Sequence, residues 1–102
     1  MTPNEIISAV ASDYGITPEQ LVNGGRHRKY SEPRHIVVYC LREFLEMYYK
    51  TICSVMGQTR GNHIASVKQV QAWVDNRRLN QDGAACVRHV WRLVTDTHTE
   101  EE

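Results

Sequence analysis

An all-α fold, a six-helix bundle containing a helix-turn-helix, is what the sequence predicts, and three observations carry that prediction. Apolar residues recur at helical spacing through most of the chain. Two segments, Thr2-Pro3-Asn4-Glu5 and Thr17-Pro18-Glu19-Gln20, combine a hydroxyl cap, a proline at the first helical position and an acid or amide three residues after the cap. No strand-like alternation, internal repeat or low-complexity segment interrupts the pattern. At 102 residues the chain has material for one modest core. The expected organisation is a helical domain over residues 1–95 and a flexible acidic tail over residues 96–102.

In order, the first helix begins at the Thr2 capping box, carries Ile6, Ile7, Val10 and Tyr14 on one face, and ends at Gly15, which supplies a left-handed residue. A short second helix follows Thr17 and stops before Asn23-Gly24-Gly25. Residues 24 to 31 hold glycines and cations without apolar periodicity and read as a surface loop. From Ser31 or Glu32 a long helix should present Ile36, Val37, Cys40, Leu41, Phe44, Leu45 and Tyr48 to the centre of the core. A short helix from Lys50 to Met56 closes at Gly57. Asn62 then suits the N-cap of a fifth helix whose Ile64, Val67, Val70 or Gln71, and Val74 share a face. Asn76 to Gly83 break the periodicity, and Val87, Val90, Trp91 and Val94 restore it in a sixth helix.

The formal net charge is zero, yet Asp96, Glu100, Glu101 and Glu102 lie in the last seven positions, leaving residues 1–95 with 12 basic and 8 acidic side chains. A basic surface must therefore be local. Cys40, Cys53 and Cys86 are widely spaced in apolar surroundings, as small core residues of a reduced compartment, and lack the paired spacing of a zinc site. No apolar run reaches the ~20 residues of a membrane span, and Met1 to Glu5 lack a basic segment leading into an apolar one, so a cytoplasmic protein is expected. No nucleophile, base and orienter can be assembled, and no G-x-x-x-x-G-K-[S/T] occurs, so neither an enzyme nor a nucleotide or other cofactor site is expected.

Arg26, Arg28, Lys29 and Arg34 stand before and at the head of the long helix, and two later helices are joined by a tight polar turn. Such a basic clamp beside a helix-turn-helix suits double-stranded DNA held by its phosphates with one helix in the major groove. Lys50, Thr59 and Arg60 offer phosphate contacts, and Asn62 and His63 offer base contacts, while Ser66 and Lys68 should project from the outer face of the fifth helix. Each has a plainer reading. The loop cations serve solubility, Arg34 pairs with Glu32 or Glu5, Asn62 is only a cap, and His63 is an exposed histidine. Trp73, Trp91 and Tyr48 fall on apolar stripes and read as core or rim packing rather than base-stacking platforms.

The order of these parts resembles the C-terminal DNA-binding domain of the bacterial replication initiator DnaA, a helical fold related to the Trp repressor. The resemblance runs roughly from Ile6 to Trp73. It rests on Ile6-Ile7-Ser8-Ala9-Val10-Ala11 with Tyr14-Gly15-Ile16-Thr17 and Glu19-Gln20-Leu21-Val22, and above all on Arg26-His27-Arg28 with Pro33-Arg34-His35-Ile36 and Tyr39-Cys40-Leu41-Arg42-Glu43-Phe44. The resemblance implies that Arg34 reaches into the minor groove and that the preceding cations hold the backbone. The family's turn signature, Gly-Gly-Arg-Asp-His-Ser/Thr-Thr-Val, meets Gly57-Gln58-Thr59-Arg60-Gly61-Asn62-His63-Ile64 here. An ungapped register puts Arg60, Gly61 and His63 at the reading positions, and a longer turn puts Asn62-His63 in place of Asp-His. The family's ATPase module has no counterpart in the sequence. What is implied is a free-standing duplex reader, a regulator or competitor at replication origins, or a phage or mobile-element protein. The rival expectation is a protein-interaction module that has kept this fold without DNA recognition, favoured by the neutral charge and acidic tail.

Overall fold

The computed structural model describes the backbone of residues 1–100 and the side chains of residues 1–96. Six α-helices run α1 (Pro3–Asp13), α2 (Pro18–Asn23), α3 (Arg28–Glu43), α4 (Tyr49–Met56), α5 (Arg60–Asp75) and α6 (Gln81–Glu100), with one 3-10 turn at Arg77–Leu79. The acidic tail expected at its end lies, apart from exposed Asp96, outside the described side chains.

Both capping boxes form as expected. Thr2 Oγ1 accepts from Glu5 N and Glu5 Oε1 from Thr2 N, and Thr17 and Gln20 repeat the exchange at the head of α2. The α3 helix packs against all five others, and its Ile36, Val37, Cys40 and Leu41 are wholly enclosed. Around it, α1 contributes Ile6 and Val10, α2 Leu21, α4 Ile52, α5 Val70 and α6 Val90. Burial of Cys40 and Cys86 agrees with their reading as core residues, and the apolar surroundings push both thiols well up.

The start of α3 departs from expectation. The helix begins at Arg28, so Arg28 and Lys29 belong to its first turn rather than to a loop. Pro33 lies inside it and cannot donate to the Lys29 carbonyl, a loss that normally favours starting the helix later. Three interactions hold the extra turn. His27 Nδ1 accepts from Lys29 N at 3.1 Å, Arg28 Nε bonds Glu32 Oε1 one turn on at 3.1 Å, and Tyr14 OH donates to Glu32 Oε2 at 2.7 Å. Burial by itself raises the Glu32 carboxyl pKa, but the bonds from Tyr14 and Arg28 outweigh it and hold Glu32 below its ordinary value. The apolar stripe ends earlier than expected, because the helix stops at Glu43 and Tyr48, 76% exposed, precedes α4 as an unburied N-cap residue.

The fifth helix is rotated relative to its expected face. Thr59, not Asn62, is its N-cap, and Thr59 Oγ1 accepts from Asn62 N at 3.3 Å. The buried stripe is His63, Ser66, Val70 and Trp73, whereas Val74 is exposed and Ile64 and Val67 are only partly covered. Apolar side chains on α5 are spread around the helix, so polar pairing inside the protein decides its phase. The turn from α4 to α5 is short because Gly57 and Gln58 both take positive φ, 73° and 63°.

The cap assignment has a direct test. Thr59→Ala should cost about 1 kcal/mol of stability in urea denaturation, while Asn62→Ala, with its side chain outside the capping bond, should leave the midpoint nearly unchanged.

Candidate nucleic-acid interface

The basic loop and the head of the fifth helix meet in a groove of about 450 Å³. One wall comes from Arg26, Ser31 and His35 at the α3 end, the other from Gln58, Asn62 and Ala65 at the α4–α5 turn and α5. Arg34, His63 and Ser66 also line it but are themselves buried. The two segments singled out in the sequence thus line one groove.

Arg34 anchors this arrangement from within, contrary to its expected place in a DNA groove. Only 8% exposed, it donates from Nε to the Leu21 carbonyl at 2.8 Å and from Nη1 to the Gly25 carbonyl at 3.0 Å. Burial lowers its pKa, yet a guanidinium remains charged at neutral pH. Two otherwise unpaired carbonyls at the end of α2 are satisfied, and the loop bearing Arg26 is tied to α3. The expected pairing of Arg34 with Glu32 or Glu5 is absent, since Glu32 bonds Tyr14 and Arg28 while Glu5 closes the first capping box.

His63 and Ser66 are likewise inward. His63, 1% exposed, brings Nε2 to 2.6 Å from the Gly57 carbonyl; a carbonyl only accepts, so Nε2 carries the proton. Ser66, 5% exposed, donates to the Asn62 carbonyl at 3.0 Å and stands 2.6 Å from His35 Nδ1, whose N–H is therefore the donor in that contact. These bonds lock the turn to α5 and α5 to α3. Both side chains are thus bonded within the protein, so His63 is buried rather than the exposed side chain expected at a base edge, and Ser66 faces inward rather than outward.

The remaining candidates are exposed. Arg26, Arg28, Lys29, Lys50, Arg60, Asn62 and Lys68 all face solvent. Arg28 spends part of its charge on Glu32, and Lys29 Nζ lies 5.7 Å from the Tyr30 ring. Arg60 is turned toward α4, with its guanidinium 6.0 Å from the Tyr49 ring. Arg42, which is part of the family resemblance but has no contact role expected from the sequence, stacks on the same ring at 4.7 Å and donates to the Met47 carbonyl at 2.9 Å. With Lys50 these arginines surround a second shallow pocket of about 470 Å³. Cations thus stand both at the start of α3 and around the helix-turn-helix. Tyr49 brings its arginines together, a juxtaposition of α3, α4 and α5 that no local sequence pattern marks.

Two measurements test these placements. Arg34→Ala should lose about 2–4 kcal/mol of stability, as expected for two charge-assisted bonds to buried carbonyls, and its thermal transition should fall accordingly. His35 is shifted below the ordinary histidine value by burial first and by the Arg34 charge second, with Glu32 opposing. The folded protein then binds that proton less readily than the unfolded chain, so the stability contribution is full above about pH 6.5 and is lost as pH falls. His35→Gln should flatten that part of the stability profile; an unchanged slope would contradict the assignment.

The chain matches the family described as "Bacterial dnaA protein helix-turn-helix" over residues 3–70. Among similar proteins, "Chromosomal replication initiator protein DnaA 2" of Protochlamydia amoebophila is 32% identical over 82 residues, covering 80% of this chain and 17% of the relative. The protein of the same name in Chlamydia caviae is 31% identical over 75 residues, covering 74% and 16%. "Chromosomal replication initiator protein DnaA 1" of Chlamydia muridarum is 24% identical over 98 residues, covering 96% and 22%. The chain thus spans about a fifth of the length of these relatives. With its helix-turn-helix and its family match together, the chain belongs to the bacterial DnaA helix-turn-helix family, whose C-terminal domains bind double-stranded DNA.

Proposed function

We propose that this domain grips duplex DNA with the N-terminal turns of α5 in the major groove and the cations around the groove on the flanking phosphates, acting by binding rather than catalysis. The single observation that carries this reading is the groove itself, where Arg26 faces the exposed start of α5 across an open channel. Lys50 and Arg60 continue the positive surface on the turn side, and Lys68 continues it along α5 on the same stripe as Ala65. Phosphate attraction supplies affinity, while groups at base edges supply sequence preference. The zero net charge of the whole chain lowers nonspecific affinity relative to a strongly basic domain. Kinship with proteins named chromosomal replication initiators supports a finer role, regulation of or competition at replication origins or on a mobile element.

Duplex binding followed by fluorescence titration at several salt concentrations tests the reading. With Arg26, Lys29, Lys50, Arg60 and Lys68 at phosphates, the slope of log affinity against log salt should be roughly −4.5, at about 0.9 per contact. Arg26→Ala should reduce it by about 0.9. Absence of duplex binding at low salt would favour the protein-interaction module instead.

A further inference from the structure

We infer that Gln58 and Asn62 together read one adenine in the major groove, an assignment that rests on the DNA-binding reading above and gives it a sequence preference. With His63 and Ser66 committed to the interior and Arg60 turned onto Tyr49, the side chains left at the α5 end of the groove are Gln58, Asn62 and Ala65. Both amides are exposed, and Asn62 Nδ2 donates to Gln58 Oε1 at 3.4 Å. That contact uses one donor and one acceptor, leaving Asn62 Oδ1 as an acceptor beside Gln58 Nε2 as a donor. Turning both amides over exchanges their roles and again leaves one of each.

Among the base edges of the major groove, adenine alone offers an acceptor, N7, next to a donor, N6–H. Guanine presents two acceptors, cytosine a donor, and thymine an acceptor beside a methyl group. The exposed amide pair therefore complements adenine, the one base whose own edge places an acceptor and a donor side by side. Gln58 also holds a positive φ of 63°, a conformation that glycine would adopt at less cost. A long amide side chain is placed there despite the backbone. One turn along α5 from Asn62, the exposed methyl group of Ala65 lines the same groove and suits a thymine methyl.

Selection of bound sites from random duplexes, with wild type, Asn62→Ala and Gln58→Gly, tests the assignment. Gln58→Gly keeps the left-handed turn, and urea denaturation verifies that both variants fold. Wild type should select a site with a near-invariant adenine, and each variant should lose preference at that position while keeping the other positions and its nonspecific affinity. Replacing that adenine with 7-deazaadenine, which lacks the N7 acceptor, should weaken wild type on the order of tenfold and Gln58→Gly little. Selected sites identical for wild type and both variants, or indifference of wild type to 7-deazaadenine, overturn the adenine assignment while leaving DNA binding intact. Failure of wild type to bind any duplex discards the DNA-binding reading and this assignment with it.

Discussion

The polar seam between α3 and α5 determines what this surface can do. His35, Ser66 and the Asn62 carbonyl form one continuous run of hydrogen bonds, and His63 closes the neighbouring turn onto Gly57. Unpaired polar groups in such a position would cost more than their bonds contribute, so the rotation of α5 that satisfies them is strongly preferred. Once that rotation is set, Asn62, Ala65 and Lys68 must face outward. The exposed face of the helix is thus a consequence of the polar groups on its buried side.

Arg34 has the corresponding role at the other wall of the groove. A guanidinium can bond two carbonyls at once because its donors are held in a rigid plane, and here it joins the end of α2 to the loop before α3. The loop glycines alone would leave Arg26 with many positions. Tying Gly25 to the core reduces that freedom before any ligand arrives, and a preorganised cation binds phosphate with less entropic cost. The positive surface is therefore divided between an inward arginine that builds the wall and outward cations that remain available.

Much of the fold was legible because its signals are local. Both capping boxes, the α4 stop at Gly57 and the periodic core of α3 each lie within a few residues, and each forms as the sequence implies. The α3 start was misplaced because Pro33 is a strong local signal, whereas the Tyr14 bond to Glu32 that supports the extra turn spans 18 residues. The phase of α5 was misplaced because a histidine and a serine occupy core positions there, where hydropathy favours Ile64 and Val67. In the candidate site, Arg26, Lys50, Arg60, Asn62 and Lys68 were legible as a polar or cationic surface. The inward turn of Arg34, His63 and Ser66 was not, because residue type does not say whether a polar side chain meets its partner in the protein or in a ligand.

By itself the sequence determined the all-helical class, the capped helix starts and the pairing of a basic segment with a helix-turn-helix, since these follow from residue spacing along one chain. Only the tertiary structure decided which polar residues bond within the protein and which face solvent. That division depends in large part on hydrogen-bond partners distant in sequence, such as Gly25, 9 residues from Arg34, and His35, 31 residues from Ser66. Such partners become neighbours only after α2, α3 and α5 have packed together.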